Sequence, residues 1–424
     1  MTTADQPPQQ LSSTGANGPP PESSTSRLGR RRLLAVAGST MAGTLAGCIS
    51  IGQNGSTTPL YTGNWHSFGN NPRNTNHVSG GTPKPQSYQV LTSAGWIYTP
   101  PVVHDGIVYF ATDREVVALD TVGTEQWTHQ LEHEVSGVPC LDPDRRRLYV
   151  PTQITGSADD VSQRATLGVF SLSEGELLDT YRVGTEKTYG ATVVDGDIFV
   201  RSDSACLRLA ADGTERWRQP LEPLVYDEYN LGDSTATQIV PAVDGEGVYI
   251  PDHNAIVKLD RESGDEQFRI SVDTPYAAPT VDDGGIIQTG WQETVGITRS
   301  GDVRWRRDLQ SRAAAATIDD EIYVISSDLH CLAAESGETK WQAHLPSEGT
   351  AAPVVTDDSI IVVSGDVRAF RRSTDGILSG DRKRWEYSEA HAVEYASPVV
   401  AAGRIFVSGP FGLLALDSEA EGDR

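Results

Sequence analysis

Pro101-Val102-Val103-His104-Asp105-Gly106-Ile107-Val108-Tyr109 reads as a β-hairpin, two short runs of branched and aromatic residues around an Asp-Gly turn. The same pattern recurs from Pro139, Ala191, Pro241, Pro279, Ala315, Pro353 and Pro398. Start-to-start distances are 38, 52, 50, 38, 36, 38 and 45 residues. A unit close to 38 residues thus repeats eight times, with insertions in three copies.

Within a unit a third run ends in Ala118-Leu119-Asp120, Arg208-Leu209-Ala210, Lys258-Leu259-Asp260 or Ala415-Leu416-Asp417. A glycine turn then delivers an aromatic residue: Gly123 to Trp127, Gly213 to Trp217, Gly264 to Phe268, Gly301 to Trp305 and Gly337 to Trp341. The second unit has Asp179 in that slot, and the seventh has Trp385 after a longer excursion. No helical periodicity follows residue 65, so the chain is predicted all-β. Eight four-stranded blades in a β-propeller suit this period, whereas the coils of a parallel β-helix are shorter than 38 residues. The last unit stops at Leu416-Asp417-Ser418 where an outer strand is due, and Lys84–Leu91 precedes the first unit with Tyr88 in the tryptophan slot. The N-terminal strand is expected to complete the last blade, closing the ring and hiding two sheet edges.

These units resemble pyrroloquinoline-quinone-like propeller repeats of the quinoprotein alcohol dehydrogenase-like superfamily. Trp65-His66-Ser67-Phe68-Gly69-Asn70-Asn71-Pro72-Arg73-Asn74-Thr75 resembles the opening segment common in that family. The resemblance spans roughly residues 65–418. It implies that Trp127, Trp217, Phe268, Trp305, Trp341 and Trp385 dock between neighbouring blades, a ring of that size removing about 200 Å² from water.

Upstream, residues 1–26 are rich in Pro, Ser, Thr, Gln and Gly and are expected to be disordered. Arg30-Arg31 in a basic cluster, followed by the 15-residue small and apolar stretch Leu33–Gly47, resembles a twin-arginine export signal. The stretch falls short of the roughly 20 residues that span a bilayer. Leu45-Ala46-Gly47-Cys48 resembles a lipobox. Residues 27–47 are therefore read as a lipoprotein signal peptide, Cys48 as the lipidated first residue of the mature chain, 48–64 as a flexible tether and 65–424 as the propeller. The expected location is the outer face of the cytoplasmic membrane. The other reading keeps the segment uncleaved as an anchor.

The 424 residues carry a net charge of −24, which repels nucleic acid. Of 34 basic side chains only Lys84, Lys187, Lys258, Lys340 and Lys383 are lysines. A carboxylate-rich, lysine-poor surface suits molar salt, where the Debye length is about 3 Å, and the source is read as a halophile of haloarchaeal type. An ordinary acidic secreted protein is the alternative.

The resemblance raises a quinoprotein dehydrogenase holding pyrroloquinoline quinone and Ca²⁺, with an Asp as base. Many such enzymes have adjacent cysteines near the cofactor, but Cys140, Cys206 and Cys331 are far apart and read as buried free thiols, with pairing of two of them the alternative. The doublets Asp282-Asp283, Asp319-Asp320 and Asp357-Asp358 fall at repeat turns, and Asp159-Asp160 in an insertion. The histidines lack metal-binding spacing, and no nucleophile elbow or phosphate loop appears. No catalytic or metal-ligating residue is assigned and no cofactor is predicted. The favoured reading is a binding or assembly scaffold for other cell-envelope proteins, as the resemblance implies for the family's non-enzymatic members, which include lipoproteins of outer-membrane protein assembly. A quinoprotein oxidoreductase and carbohydrate binding are the alternatives. Insertions 152–165, 221–238 and 371–390 are candidate partner loops, with Tyr226 and Tyr229 the residues singled out.

Overall fold

The computed structural model describes residues 58–93, 97–154, 164–224, 238–275, 277–373, 382–390, 396–409 and 412–417. The chain divides into two compact units, Met1–Asn54 and Gly55–Arg424. The first lies outside the described residues, as do Arg30, Arg31, Cys48, Tyr226 and Tyr229. The second is a ring of eight antiparallel sheets: blades 1 to 7 cover 102–130, 134–184, 188–220, 242–271, 280–307, 316–344 and 354–387, and blade 8 covers 399–417. Each runs from an inner strand at the axis to an outer strand at the rim. In blade 2 the inner strand is broken into Glu134–Val135 and Cys140–Asp142, both paired with Arg147–Gln153.

The inner hairpins turn where the sequence places them. Asp105-Gly106 and Asp195-Gly196 both have positive φ, at 48° and 76° and at 51° and 82°, the geometry that matches strand twist in a two-residue turn. Asp244-Gly245 differs: its turn runs to Gly247, with Asp244 Oδ1 accepting the amides of Glu246 and Gly247. Asp282-Asp283, Asp319-Asp320 and Asp357-Asp358 occupy the same hairpins and pair with cations, Asp283 with Arg73, Asp319 with Arg372, Asp320 with Lys340 and Asp358 with Arg384, whereas Asp159-Asp160 lies outside the described residues.

Between third and outer strands the register slips by one residue at Ala118/Leu119, and again at Arg208/Leu209, Lys258/Leu259, Gly296/Ile297, Cys331/Leu332 and Ala369/Phe370. This bulge adds twist and sets each aromatic opposite the residue before the slip: Trp127 faces Ala118, Trp217 Arg208, Phe268 Lys258, Trp305 Gly296, Trp341 Cys331 and Trp385 Ala369. From there the rings reach the next blade. Trp127 Nε1 donates to Leu172 O at 2.9 Å, Trp217 Nε1 to Arg261 O at 3.0 Å and Trp305 Nε1 to Ala334 O at 3.0 Å. The acceptor lies one or two residues past the neighbour's third strand. The ring rests on the turn glycine that follows, so a Cβ at Gly264 would stand 2.7 Å from Trp217 and one at Gly337 2.5 Å from Trp305.

Where the aromatic cannot donate, another side chain takes the same carbonyl. Tyr181, two residues beyond Asp179, donates its hydroxyl to Ala211 O at 3.0 Å, and Arg147 bonds the same oxygen. Lys258 Nζ donates to Arg299 O at 2.9 Å beside Phe268.

Ring closure follows the sequence expectation: Ser87–Thr92 pairs with Gly412–Asp417 as the outer strand of blade 8. The expected slot residue does not. Tyr88 lies opposite Leu416 and is 42% exposed, whereas Gln89 lies opposite Ala415, in the tryptophan register. Gln89 Nε2 donates to Val122 O at 2.6 Å, and Arg404 takes Thr121 O, so two polar side chains do at this joint what an indole does elsewhere.

The segment from Tyr61 to Val78 plugs the hairpin end of the axis. Its carbonyls accept the axis-facing amides of seven inner strands or hairpins: Val103 N to Trp65 O, Leu141 N to His66 O, Val243 N to Pro72 O, Val281 N to Arg73 O, Thr317 N to Thr75 O, Val355 N to Asn76 O and Ala402 N to Gly63 O. Those amides would otherwise be buried without a partner. Asn70, Asn74 and Asn76 sit at φ 70°, 55° and 50°, a region asparagine tolerates. Asn74 Nδ2 donates to Val240 O and Pro279 O, and Asn76 Nδ2 to Ala315 O. Phe68 fills the axis among Val138, Val240, Ala277, Ala278, Ala314 and Ala352.

Two plug histidines give the fold a pH dependence. His66 Nε2 lies 2.9 Å from His104 Nδ1, and burial, then the His104 charge, lowers the His66 pKa. Burial likewise lowers that of His77, 3.8 Å from Asp357. A histidine whose folded pKa is depressed contributes stability that is complete above its unfolded pKa of about 6.5 and is lost as pH falls through the folded value. Denaturant midpoints are expected to drop as pH falls below about 6.5, and His66→Gln is expected to flatten that slope. An unchanged slope in the variant would remove His66 from the account.

Candidate functional site

The end of the ring opposite the plug carries the crossings from each outer strand to the next inner strand and the turns between second and third strands. Described residues flanking 155–163, 225–237 and 391–395, namely Ile154 and Arg164, Leu224 and Gln238, and Ala390 and Ala396, belong to this face. The third insertion, 371–390, differs in that the described residues Arg371, Arg372, Ser373 and Arg382 that flank its undescribed part belong to the hairpin end, between the third and outer strands of blade 7.

Across the axis on this face Ser397 Oγ donates to Gln238 Oε1 at 3.1 Å, joining blades 8 and 4, and also accepts Ala352 N. Gln288 Nε2 donates to Ala277 O and Thr289 O. Around this centre stands a cluster of cations and aromatics unusual in so acidic a chain. Tyr189, Leu224, Ile239 and Trp291 pack together. Lys187 and Arg201 approach the Tyr189 ring at 5.8 and 5.7 Å, and Arg312 stacks on Trp291 at 4.7 Å. Arg201 is fully buried, donates to Glu222 O and lies 4.0 Å from Asp252. Asp252 also receives Arg269 at 2.5 Å and the Glu222 amide at 2.7 Å. Beside Arg312 a shallow depression of about 260 Å³, open to solvent, is lined in part by Gln310, Ser326, Glu348 and Thr350.

The quinone and calcium ion implied by the resemblance were tested against these residues. Among the described residues no three His, Cys, Asp or Glu side chains come together at metal-binding distance, and the axis is filled by Phe68 and small apolar residues. Cys140, Cys206 and Cys331 are buried and free in blades 2, 3 and 6. Burial raises the Cys140 thiol pKa and pushes those of Cys206 and Cys331 up to about 12, so none is a thiolate nucleophile near neutrality. Among the described residues, then, no set of carboxylates is assembled to hold the calcium ion.

Residue spacing could not have found this cluster, because Tyr189, Arg201, Trp291 and Arg312 come from blades 3 and 5 and from the crossing into blade 6.

The fold is shared with several solved structures. BamB from Moraxella catarrhalis matches at TM-score 0.61 and 15% identity over 81% of this chain and 100% of that one. Quinohemoprotein alcohol dehydrogenase from Comamonas testosteroni matches at TM-score 0.62 and 12% identity over 85% of this chain and 82% of that one. The computationally designed Ika8 protein matches at TM-score 0.60 and 11% identity over 78% of this chain and 99% of that one. At these identities the likeness concerns the fold alone. No curated protein matches the chain. Residues 202–317 and 292–419 match the family described as outer membrane protein assembly factor BamB. The two matches together cover more than half of the sequence, and the chain belongs to this family of repeat propellers.

Proposed function

We propose that this protein is a non-catalytic scaffold of the cell envelope of a halophile, exported by the twin-arginine route on Arg30-Arg31 and lipid-anchored through Cys48 to the outer face of the cytoplasmic membrane. It binds other envelope proteins through the loop-bearing face. The observation that carries this reading is the arrangement of the ring: one end is sealed by a hydrogen-bonded plug, and the other presents the crossings, the flanks of 225–237 with its Tyr226 and Tyr229, and a cation–aromatic cluster. Membership of a family described as an assembly factor supports it. Rigid rings that carry variable loops are suited to holding partners in place.

Calorimetric titration of the folded domain with pyrroloquinoline quinone and Ca²⁺ at high salt separates this reading from the oxidoreductase one. No saturable heat is expected; one-to-one binding would overturn the scaffold assignment. Anchoring has its own test. Cys48→Ser is expected to move the protein from the membrane fraction to the medium, since it removes the sulfur that carries the proposed lipid, and among the described residues no helix is long and apolar enough to cross a membrane. A Cys48→Ser chain that stays with membranes would dismiss the lipid anchor.

A further inference from the structure

The geometry points to Arg312 and Trp291 as a binding site for a single carboxylate on the loop-bearing face, which deepens the scaffold reading by naming the chemistry of the partner. Many arginines of the ring are paired with acids: Arg208 bonds Asp197 and Glu262, Arg372 bonds Asp319 and Glu321, and Arg404 bonds Asp417. Arg312 has no carboxylate within ion-pair distance among the described residues. Its Nε is buried without a hydrogen-bond partner. Its guanidinium carbon lies 4.7 Å from the centre of the Trp291 ring, a cation–aromatic contact that restrains the side chain and lowers the entropy lost when a ligand is gripped. In a chain of net charge −24, a guanidinium left without an acid and stacked at the edge of a depression is an acceptor site awaiting an anion.

The depression sets the ligand's size and charge. It is shallow and open to solvent, so it takes a terminal charged group and does not enclose a whole ligand. The Gln310 amide and the Ser326 hydroxyl line it and could donate alongside the fork. Glu348, also at the rim, is exposed and, with the charge of the whole chain, opposes polyanions. One guanidinium balances one negative charge, so a carboxylate fits better than a phosphate ester. The carboxylate can belong to the C-terminus of a partner's chain or to a free small acid.

The test uses the full-length protein at molar salt and calorimetric titration with N-acetyl-Gly-Gly-Phe, its C-terminal amide, and benzoate. The free-acid peptide is expected to bind about tenfold or more tightly than the amide, the difference a charge-assisted hydrogen bond makes. Arg312→Gln is expected to erase that difference, and Arg312→Lys to keep part of it. Both variants should melt as the parent does, because Arg312 forms no structural ion pair. Benzoate binding as tightly as the peptide assigns the site to free acids; weaker binding assigns it to chain ends. Equal binding of acid and amide, or a difference that survives Arg312→Gln, overturns the site. A partner cross-linked equally by parent and Arg312→Gln protein would discard this site while leaving the scaffold reading standing.

Discussion

Deletion of residues 65–95 is expected to yield aggregated protein with no cooperative melt. The deletion removes the outer strand of blade 8, whose register runs from Ser87 opposite Asp417 to Thr92 opposite Leu413, and so exposes the edge of Gly412–Asp417, an apolar strand buried over most of its length. An open edge of that kind pairs with other chains. The deletion also takes away most of the plug. Trp65 and Phe68 are each 1% exposed, and losing a buried aromatic costs about 3–5 kcal/mol. With six inner strands also deprived of acceptors, the total exceeds the roughly 5–15 kcal/mol that holds a domain folded. Size-exclusion chromatography and a thermal melt check this. Soluble, monomeric product with the parent's melting curve would refute both the closure and the weight given to the plug.

The period of the ring was legible because hairpin and glycine turns recur at fixed offsets, each enforced by local backbone chemistry. Closure was legible from a missing strand at one end and a surplus one at the other. The register of that closing strand was not. In blades 1, 3, 4, 5 and 6 the aromatic can be counted forward from a turn glycine, but no turn joins Ser87–Thr92 to Gly412–Asp417, so nothing in the sequence ties Tyr88 or Gln89 to a partner. A shift of one residue sends every side chain to the other face, which is why Tyr88 ends up 42% exposed. The substitute donors at the joints were hidden for a related reason: Arg147 and Arg404 come from second strands and Lys258 from a third, and only folding brings them to the neighbour's carbonyl. The plug stood out by resemblance, yet its physical role depends on bonds to strands as far away as Val355 and Ala402. The Arg312 depression draws on three separate connections and left no local mark.

Trp305→Ala is expected to lower stability by about 3–5 kcal/mol, the cost of emptying a buried aromatic site, and Trp305→Phe by about 1–3 kcal/mol through the loss of one hydrogen bond. Trp305 is 7% exposed and lies between Gly296 and Gly337, where added Cβ atoms would stand 2.3 and 2.5 Å from the ring. No smaller side chain fills that gap, and its N–H is the donor that satisfies Ala334 O. Trp341 occupies the same register in the next blade, but its Nε1 is buried without an acceptor, and Arg382 stacks on its ring at 4.3 Å. Arg382 itself bonds Arg372 O, the carbonyl an indole would otherwise reach. Trp341→Phe should therefore cost less than about 1 kcal/mol, because phenyl still faces the guanidinium and only weakens the cation–π attraction. Chemical denaturation of the two phenylalanine variants at molar salt compares them directly. Equal losses would mean that the rings act by packing alone and that the captured carbonyl contributes nothing to the joint, whereas a gap of about a kilocalorie or more identifies the hydrogen bond between blades as the reason tryptophan, and not merely an aromatic, recurs in this slot.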